Sequence, residues 1–317
     1  MKQFLSVTDA GDINKLLEEA LLIKANPSGR KTGTGKRIGL IFMNPSLRTR
    51  VSTQIAAHNL GLDTIVLNTS GDGWQLEFNE GAIMDGKSVE HIKDAAPVMG
   101  QYFDVIGVRT FPSLQNKDED YAEKVINAFR DYSGVPVISL ESATRHPLQS
   151  FADVITIYEN SLALSKRKPK VVLMWAPHVK PLPQCVANSF AEWMNAWNET
   201  EFIISHPKGY ELDPRFAGNA PIVYDQDEAL RNADFVYVKN WSSVNDYGKI
   251  LPVEENWMLT NNKLKLTNQA KVMHCLPVRR NVELSDEVLD GDSSLVTAQA
   301  ANRVWSAQTV INRILSS

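Results

Sequence analysis

Short apolar runs, each closed by a polar or proline-containing break, recur along this chain. They alternate with longer stretches in which apolar residues return every three or four positions. RIGLIFM (37–43), DTIVLN (63–68), DVIGVRTF (104–111) and VPVISLE (135–141) are too short for helices and too uniformly apolar for half-exposed strands. They predict buried strands, and the stretches between them, such as 89–102 and 121–132, predict helices. After HPLQ (146–149) the series restarts with KVVLMWA (170–176), EFIISHP (201–207), ADFVYVKNW (233–241) and KVMHCLP (271–277). Strands alternating with helices imply parallel sheets covered on both faces. The expected fold is therefore α/β, with two doubly wound parallel-sheet domains at 1–145 and 146–297. The helical period over 298–315 is followed by no strand, so residues 298–317 are expected to form a helix returning to the first domain.

In such sheets ligands bind outside the carboxyl ends of the strands, where right-handed crossovers gather the loops. The segments to inspect are then 44–50, 109–110, 141–149, 175–183, 239–241 and 274–280. Composition narrows what they bind. The chain has 317 residues, 43% of them hydrophobic, and a net charge of −4. That balance argues against a nucleic-acid partner, which calls for a basic face, but it is compatible with a small anion held in a local basic pocket. Two cysteines, Cys185 and Cys275, make no disulfide framework and suggest a reducing compartment. No apolar run approaches a membrane span, and the N-terminal segment lacks the apolar core of a signal peptide. A cytoplasmic protein without a membrane partner is expected.

Within those segments, NPSLRTR (44–50) carries the sharpest signal. Pro45 stops a strand, and Ser46 is a good N-cap for a helix starting at Leu47 or Arg48. The free N–H groups and positive dipole end of that helix, with Ser46, Arg48, Thr49 and Arg50, match a phosphate. Taken alone, the stretch is equally well a helix start with two solvated arginines. RHPLQ adds His146 and Gln149 at another helix start, GVRTF places Arg109 at a strand end, and MHCLPVRR brings His274, Cys275 and two arginines. GTGKRIG (33–39) precedes a strand instead of following one, so it is a connector and not a nucleotide loop. A nicotinamide-dependent oxidoreductase is disfavoured because no Gly-rich strand-to-helix turn is found. The histidines and cysteines show no metal-ligand spacing, so no metal and no cofactor are expected.

The set Ser46-Leu47-Arg48-Thr49-Arg50, His146-Pro147-Leu148-Gln149 and His274-Cys275-Leu276-Pro277 resembles the carbamoyltransferases in order and spacing over essentially the whole chain. The resemblance implies a first domain for carbamoyl phosphate, a second for the amino substrate, and a homotrimer with active sites shared between subunits. It implies that residues 46–50 cradle the phosphate and that Arg109, His146 and Thr49 stabilise the developing oxyanion. Gln149 and the carbonyls of Cys275 and Leu276 would hold the carbamoyl nitrogen. Arg303 would close over the phosphate, Trp74 would reach a neighbouring subunit's site, and Glu141 would orient the amino substrate. A non-catalytic relative would have lost part of these motifs, and all three are chemically complete.

Ornithine enzymes of this family carry an Asp and a Ser-Met-Gly loop for a free α-amino acid, whereas this chain has Lys239 in YVKNWSS. A lysine repels an α-ammonium but suits an α-carboxylate beside an acylated nitrogen, so N-acylornithine is expected, with plain ornithine the weaker alternative. Acetylornithine enzymes align a glutamate with Val89. An apolar residue there removes a carboxylate that would repel a succinyl group, so N-succinylornithine is expected over N-acetylornithine. His178, Lys180 or Arg279 would supply the cation for the extra carboxylate.

Overall fold

The computed structural model describes residues 1–27, 29, 31–69, 75–162 and 167–316. Two compact units result. The first comprises Met1–Ser113, Asp118–Leu148 and Arg303–Ser317, and the second Leu114–Lys117 and Gln149–Asn302. The divisions at Leu148/Gln149 and Asn302/Arg303 fall inside helices, Pro147–Ser161 and Val296–Leu315.

Strands in the first unit are Gln3–Phe4 (β1), Arg37–Phe42 (β2), Asp63–Asn68 (β3), Leu76–Glu77 (β4), Glu90–His91 (β5), Val105–Arg109 (β6) and Val137–Glu141 (β7). Five of them form a parallel sheet in the order β1-β7-β6-β2-β3, while β4 and β5 pair separately. In the second unit, Lys170–Trp175 (β8), Glu201–Ser205 (β9), Ile222–Val223 (β10), Phe235–Lys239 (β11) and Lys271–Met273 (β12) form a parallel sheet ordered β10-β9-β8-β11-β12. The central strands β6, β7 and β11 are buried at every residue, which is why each reads as a continuous apolar run instead of an alternating one. Sequence periodicity missed β1, β4, β5 and β10, each two residues long.

The strand order reverses between β2 and β6 in one sheet and between β8 and β11 in the other. Those switch points open crevices at the carboxyl ends. The core behind the first is built by Ile41, Ile106, Val108, Ile92, Phe103 and Phe129, all buried.

Local expectations needed three corrections. The helix after β2 spans Arg48–Leu60, and its N-cap is Leu47, already in the right-handed helical region; no side chain caps it. Ser46 therefore lies one residue too early to cap, and the first-turn N–H groups are not taken by its hydroxyl. The helix expected over 121–132 is two pieces, Lys117–Tyr121 and Lys124–Tyr132, broken at Glu123, which adopts φ 51°. The last helix starts at Val296, and its Arg303 to Leu315 portion belongs to the first unit, where Arg313 grips Glu19 at 2.6 Å and Ser306 Oγ donates to Leu148 O at 2.7 Å.

Candidate active site

In the first unit the loops after β2, β6 and β7 hold the expected site residues Arg48, Arg109 and His146. Between Val108 and Arg109 the β6–β7 register shifts, so that Arg109 pairs with Glu141. This bulge re-aims the strand end, and Arg109 Nη1 meets Glu141 Oε2 at 2.9 Å with both side chains buried. Glu141 was expected to orient substrate; its observed partner is Arg109. Thr49 Oγ1 accepts from Arg303 Nη2 at 2.5 Å and lies 3.4 Å from Arg109 Nη1. Guanidiniums only donate, so the Thr49 hydroxyl proton remains to be donated elsewhere.

Buried His146 has its Nε2 3.4 Å from Arg303 Nη2 and 3.6 Å from Glu141 Oε2. Burial first, then the charges of Arg303 and Arg109, hold its pKa well below the usual 6.5. The Glu141 approach is therefore not an ion pair, since that carboxylate is already matched by Arg109. A neutral ring whose Nε2 accepts from Arg303 carries its proton on Nδ1, and that nitrogen is buried without a hydrogen-bond partner. Arg48 Nε and Arg109 Nε are likewise buried and unpartnered. Leaving a buried donor unmet costs about 1–3 kcal/mol, a cost that a ligand's oxygens at these nitrogens would offset.

Native His146 stays neutral while the unfolded chain takes up a proton near pH 6.5. Stability is thus unaffected above that pH and falls as pH drops below it, by up to ~1.4 kcal/mol per pH unit for each such histidine. His206, whose pKa burial also lowers, adds to the slope. Urea unfolding at pH 7.5 and 5.5 should show the decline, and His146→Asn should flatten it. An unchanged slope in that variant would contradict the neutral assignment.

Glu123, absent from the sequence expectations, accepts from Ser142 Oγ at 2.6 Å, Thr144 N at 2.7 Å, Ala143 N at 3.3 Å and the Thr144 hydroxyl. It ties down the loop joining Glu141 to His146. No local sequence signal marks it. Of the other expected phosphate ligands, Ser46 and Arg50 lie on the same loop and first helical turn, half-buried, and Leu47 is 72% exposed. Trp74 lies outside the described residues.

In the second unit, the ends of β8 and β11 are locked together. Trp175 Nε1 donates to Trp241 O at 2.9 Å and Asn240 Nδ2 to Ala176 O at 2.6 Å. Lys239 is buried, with Nζ donating to Asn240 O at 3.1 Å. Buried Glu283 faces it. Burial raises the Glu283 pKa, but the bond to His274 and the charges of His274 and Lys239 outweigh this and lower it. Lys239 is thus partly balanced inside the protein, which the sequence could not show. His274 accepts Leu276 N–H on Nδ1 at 2.9 Å and turns Nε2 to Glu283 at 3.3 Å, so Leu276, at φ 57°, and buried Cys275 sit in a braced loop.

Arg279 Nε donates to His178 Nε2 at 3.2 Å, and His178 Nδ1 lies 2.8 Å from Lys180 O. Lys180 N also approaches His178 Nδ1, at 3.2 Å, so the ring is braced between its own loop and Arg279. Lys180 and Arg279 are both exposed. Val89 is 68% exposed and donates its N–H to Gln75 O at 3.0 Å. Among the described residues no helix is long and apolar enough to cross a membrane.

Comparison with known proteins gives a consistent result. Residues 2–159 match the carbamoyl-P binding domain of aspartate/ornithine carbamoyltransferase, and residues 184–314 match its Asp/Orn binding domain. The N-succinylornithine carbamoyltransferase of Bacteroides fragilis is 50% identical over 100% of this chain and 99% of its own. The N-acetylornithine carbamoyltransferase of Xanthomonas axonopodis pv. citri is 34% identical over 100% of this chain and 97% of its own. Among solved structures, a glutamate-to-valine mutant of N-acetyl-L-ornithine transcarbamylase complexed with carbamyl phosphate and N-succinyl-L-norvaline superposes with a TM-score of 0.91. It is 34% identical, covering 99% of this chain and 100% of that one.

Proposed function

The chain belongs to the aspartate/ornithine carbamoyltransferase family, and from that premise we propose that it carbamoylates the δ-amine of an N2-acylated ornithine. N-succinyl-L-ornithine is the preferred acceptor, N-acetyl-L-ornithine the weaker one, and the products are N-acylcitrulline and phosphate in arginine biosynthesis. The observation that carries the donor half is the trio of buried, unpartnered nitrogens of Arg48, Arg109 and His146, beside the Thr49 hydroxyl oxygen that receives two guanidinium N–H groups.

Residues 46–50 and Arg303 bind the phosphate. The His146 Nδ1–H, Arg109 and the Thr49 hydroxyl donate to the carbamoyl oxygen. Gln149 and the carbonyls of Cys275 and Leu276 accept from the carbamoyl nitrogen. The δ-amine attacks the carbamoyl carbon, charge develops on the oxygen, and the C–O bond to phosphate breaks. Donors fixed before the reaction stabilise that charge without reorganising, usually the largest single catalytic contribution. The amine loses a proton in the step. No side chain in these loops is an evident base, so the departing phosphate takes it. Neutral His146 cannot hold the ammonium off by charge; Arg109, Arg48 and Arg303 do so, depressing the amine's pKa.

Glu141 contacts the acceptor from its place against Arg109. Lys239 contacts the acceptor's α-carboxylate, its balance with Glu283 leaving a polar but nearly neutral surround for an uncharged acyl-nitrogen. Lys180 and Arg279, propped by His178, meet the succinyl carboxylate. Val89 supports succinyl preference: the solved mutant that places valine where its own enzyme has glutamate is complexed with a succinyl ligand. A homotrimer, with Trp74 contributing to a neighbouring site, is supported by Leu47, Val51 and Ile55, an apolar stripe of four-residue spacing on one helix, 72%, 46% and 44% exposed. A cytoplasmic location fits a substrate pair of this kind.

Phosphate release should be measured with carbamoyl phosphate plus ornithine, N-acetylornithine or N-succinylornithine. Turnover is expected with the acylated acceptors, fastest with succinyl, and Val89→Glu should move preference toward acetyl. No turnover with any acceptor would end the proposal, and an unchanged acyl ratio in the variant would remove Val89 from it.

A further inference from the structure

Asp153 is fully buried on the helix Pro147–Ser161, one turn after Gln149, and the reaction as described makes no use of it. A single oxygen, Oδ1, receives the Gln149 Nε2 at 2.8 Å and the Gln299 Nε2 at 2.7 Å. A carboxylate only accepts, so both amides must present their NH2 groups to it. Each amide's oxygen is then committed to its other side. For Gln299 the consequence is visible: its Oε1 accepts the His274 N–H at 2.9 Å. His274 in turn receives the Leu276 N–H at 2.9 Å. One carboxylate thus sets the polarity of a chain of hydrogen bonds ending on the loop that carries Cys275 and Leu276. The Tyr237 hydroxyl lies against Asp153 and Cys275, and burial above all keeps that phenol protonated, so its O–H remains a donor toward the carboxylate.

We propose that Asp153 is a positioning residue for carbamoyl recognition: it locks the Gln149 amide with its oxygen toward the ligand nitrogen and, through Gln299, holds the 274–276 loop. The inference rests on the proposed function, in which Gln149 and the Cys275 and Leu276 carbonyls receive the carbamoyl NH2. That group has only protons to offer. Three acceptors recognise it; a Gln149 amide turned by 180° would set donor against donor. Rotation exchanges two nearly isosteric ends, so shape alone does not decide the orientation. An acceptor-only neighbour does, and Asp153 is one.

Asp153→Ala is expected to raise the KM for carbamoyl phosphate ~10- to 100-fold, the worth of one lost hydrogen bond to a charged group. Competitive inhibition by inorganic phosphate, which does not use Gln149, should change less than ~3-fold. Asp153→Asn keeps an oxygen able to receive both amides and should stay within ~3-fold of the wild-type KM. In a Gln149→Ala background, Asp153→Ala should add little further loss, because both act on one contact. Wild-type KM in Asp153→Ala, equal losses in the Ala and Asn variants, or phosphate inhibition weakened as much as KM would each overturn the proposal. Should the alanine variant not fold, Asp153→Ser replaces it in the same comparison. Wild-type turnover run alongside separates the two levels: its absence refutes the carbamoyltransferase function, whereas its presence with an indifferent Asp153 refutes only this inference.

Discussion

Arg48→Ala should reduce kcat/KM for carbamoyl phosphate by about 10²- to 10³-fold, a loss of ~3–4 kcal/mol of transition-state binding, while leaving the fold as stable as before or slightly more so. The two halves of this expectation have separate causes. Arg48 is the first residue of the helix Arg48–Leu60, which no side chain caps. A cation at that end opposes the helix dipole and costs roughly 0.3–1 kcal/mol. Its Nε is buried without a partner, and Arg48 makes no ion pair among the described residues. Removing it therefore relieves an unfavourable placement. A residue that destabilises its own helix is explained by a ligand whose two negative charges reverse the sign. Urea unfolding alongside steady-state kinetics checks both parts. Near-normal turnover would remove the phosphate cradle, and a large loss of stability would show that Arg48 has a structural task.

Arg109→Ala should do the opposite on the stability side. The variant leaves Glu141 buried without its 2.9 Å partner. Breaking one member of a buried pair in this way costs about 3–5 kcal/mol. Activity should fall at least as far as for Arg48, since the carbamoyl oxygen loses a donor and Thr49 loses one of the two guanidiniums that donate to its hydroxyl oxygen. Arg109→Ala combined with Glu141→Gln separates the effects. Stability should recover by most of the deficit, because the uncompensated charge is gone, while turnover should remain low. Recovery of turnover with stability would mean that Arg109 serves the fold alone.

Why some of this was legible in the sequence and some was not follows from particular residues. β2, β6, β7 and β11 declare themselves because both faces are covered, and apolar runs of five or six residues have few other uses. β1 and β10 are two residues long and lie at sheet edges, where pairing to a neighbour creates the strand and local propensity contributes little. The helix expected over 121–132 fails at Glu123, whose left-handed backbone lets its carboxylate gather the Ser142–Thr144 loop. Nothing near Glu123 in the chain announces a loop some twenty residues away. The 3.2 Å contact between Arg279 Nε and His178 Nε2 joins residues about a hundred positions apart, a distance over which no local pattern speaks.

The sequence by itself determined the longer elements, the parallel sheets and the loops at the carboxyl ends of their strands, since these depend on local periodicity and on strand-to-helix order. Tertiary structure alone decided protonation and direction: that His146 is neutral, that Thr49 Oγ1 accepts from Arg303, that the charge of Lys239 helps lower the Glu283 pKa, and that Asp153 receives two amides. Such choices are set by burial and by the nearest charge or acceptor, and those neighbours come from distant parts of the chain.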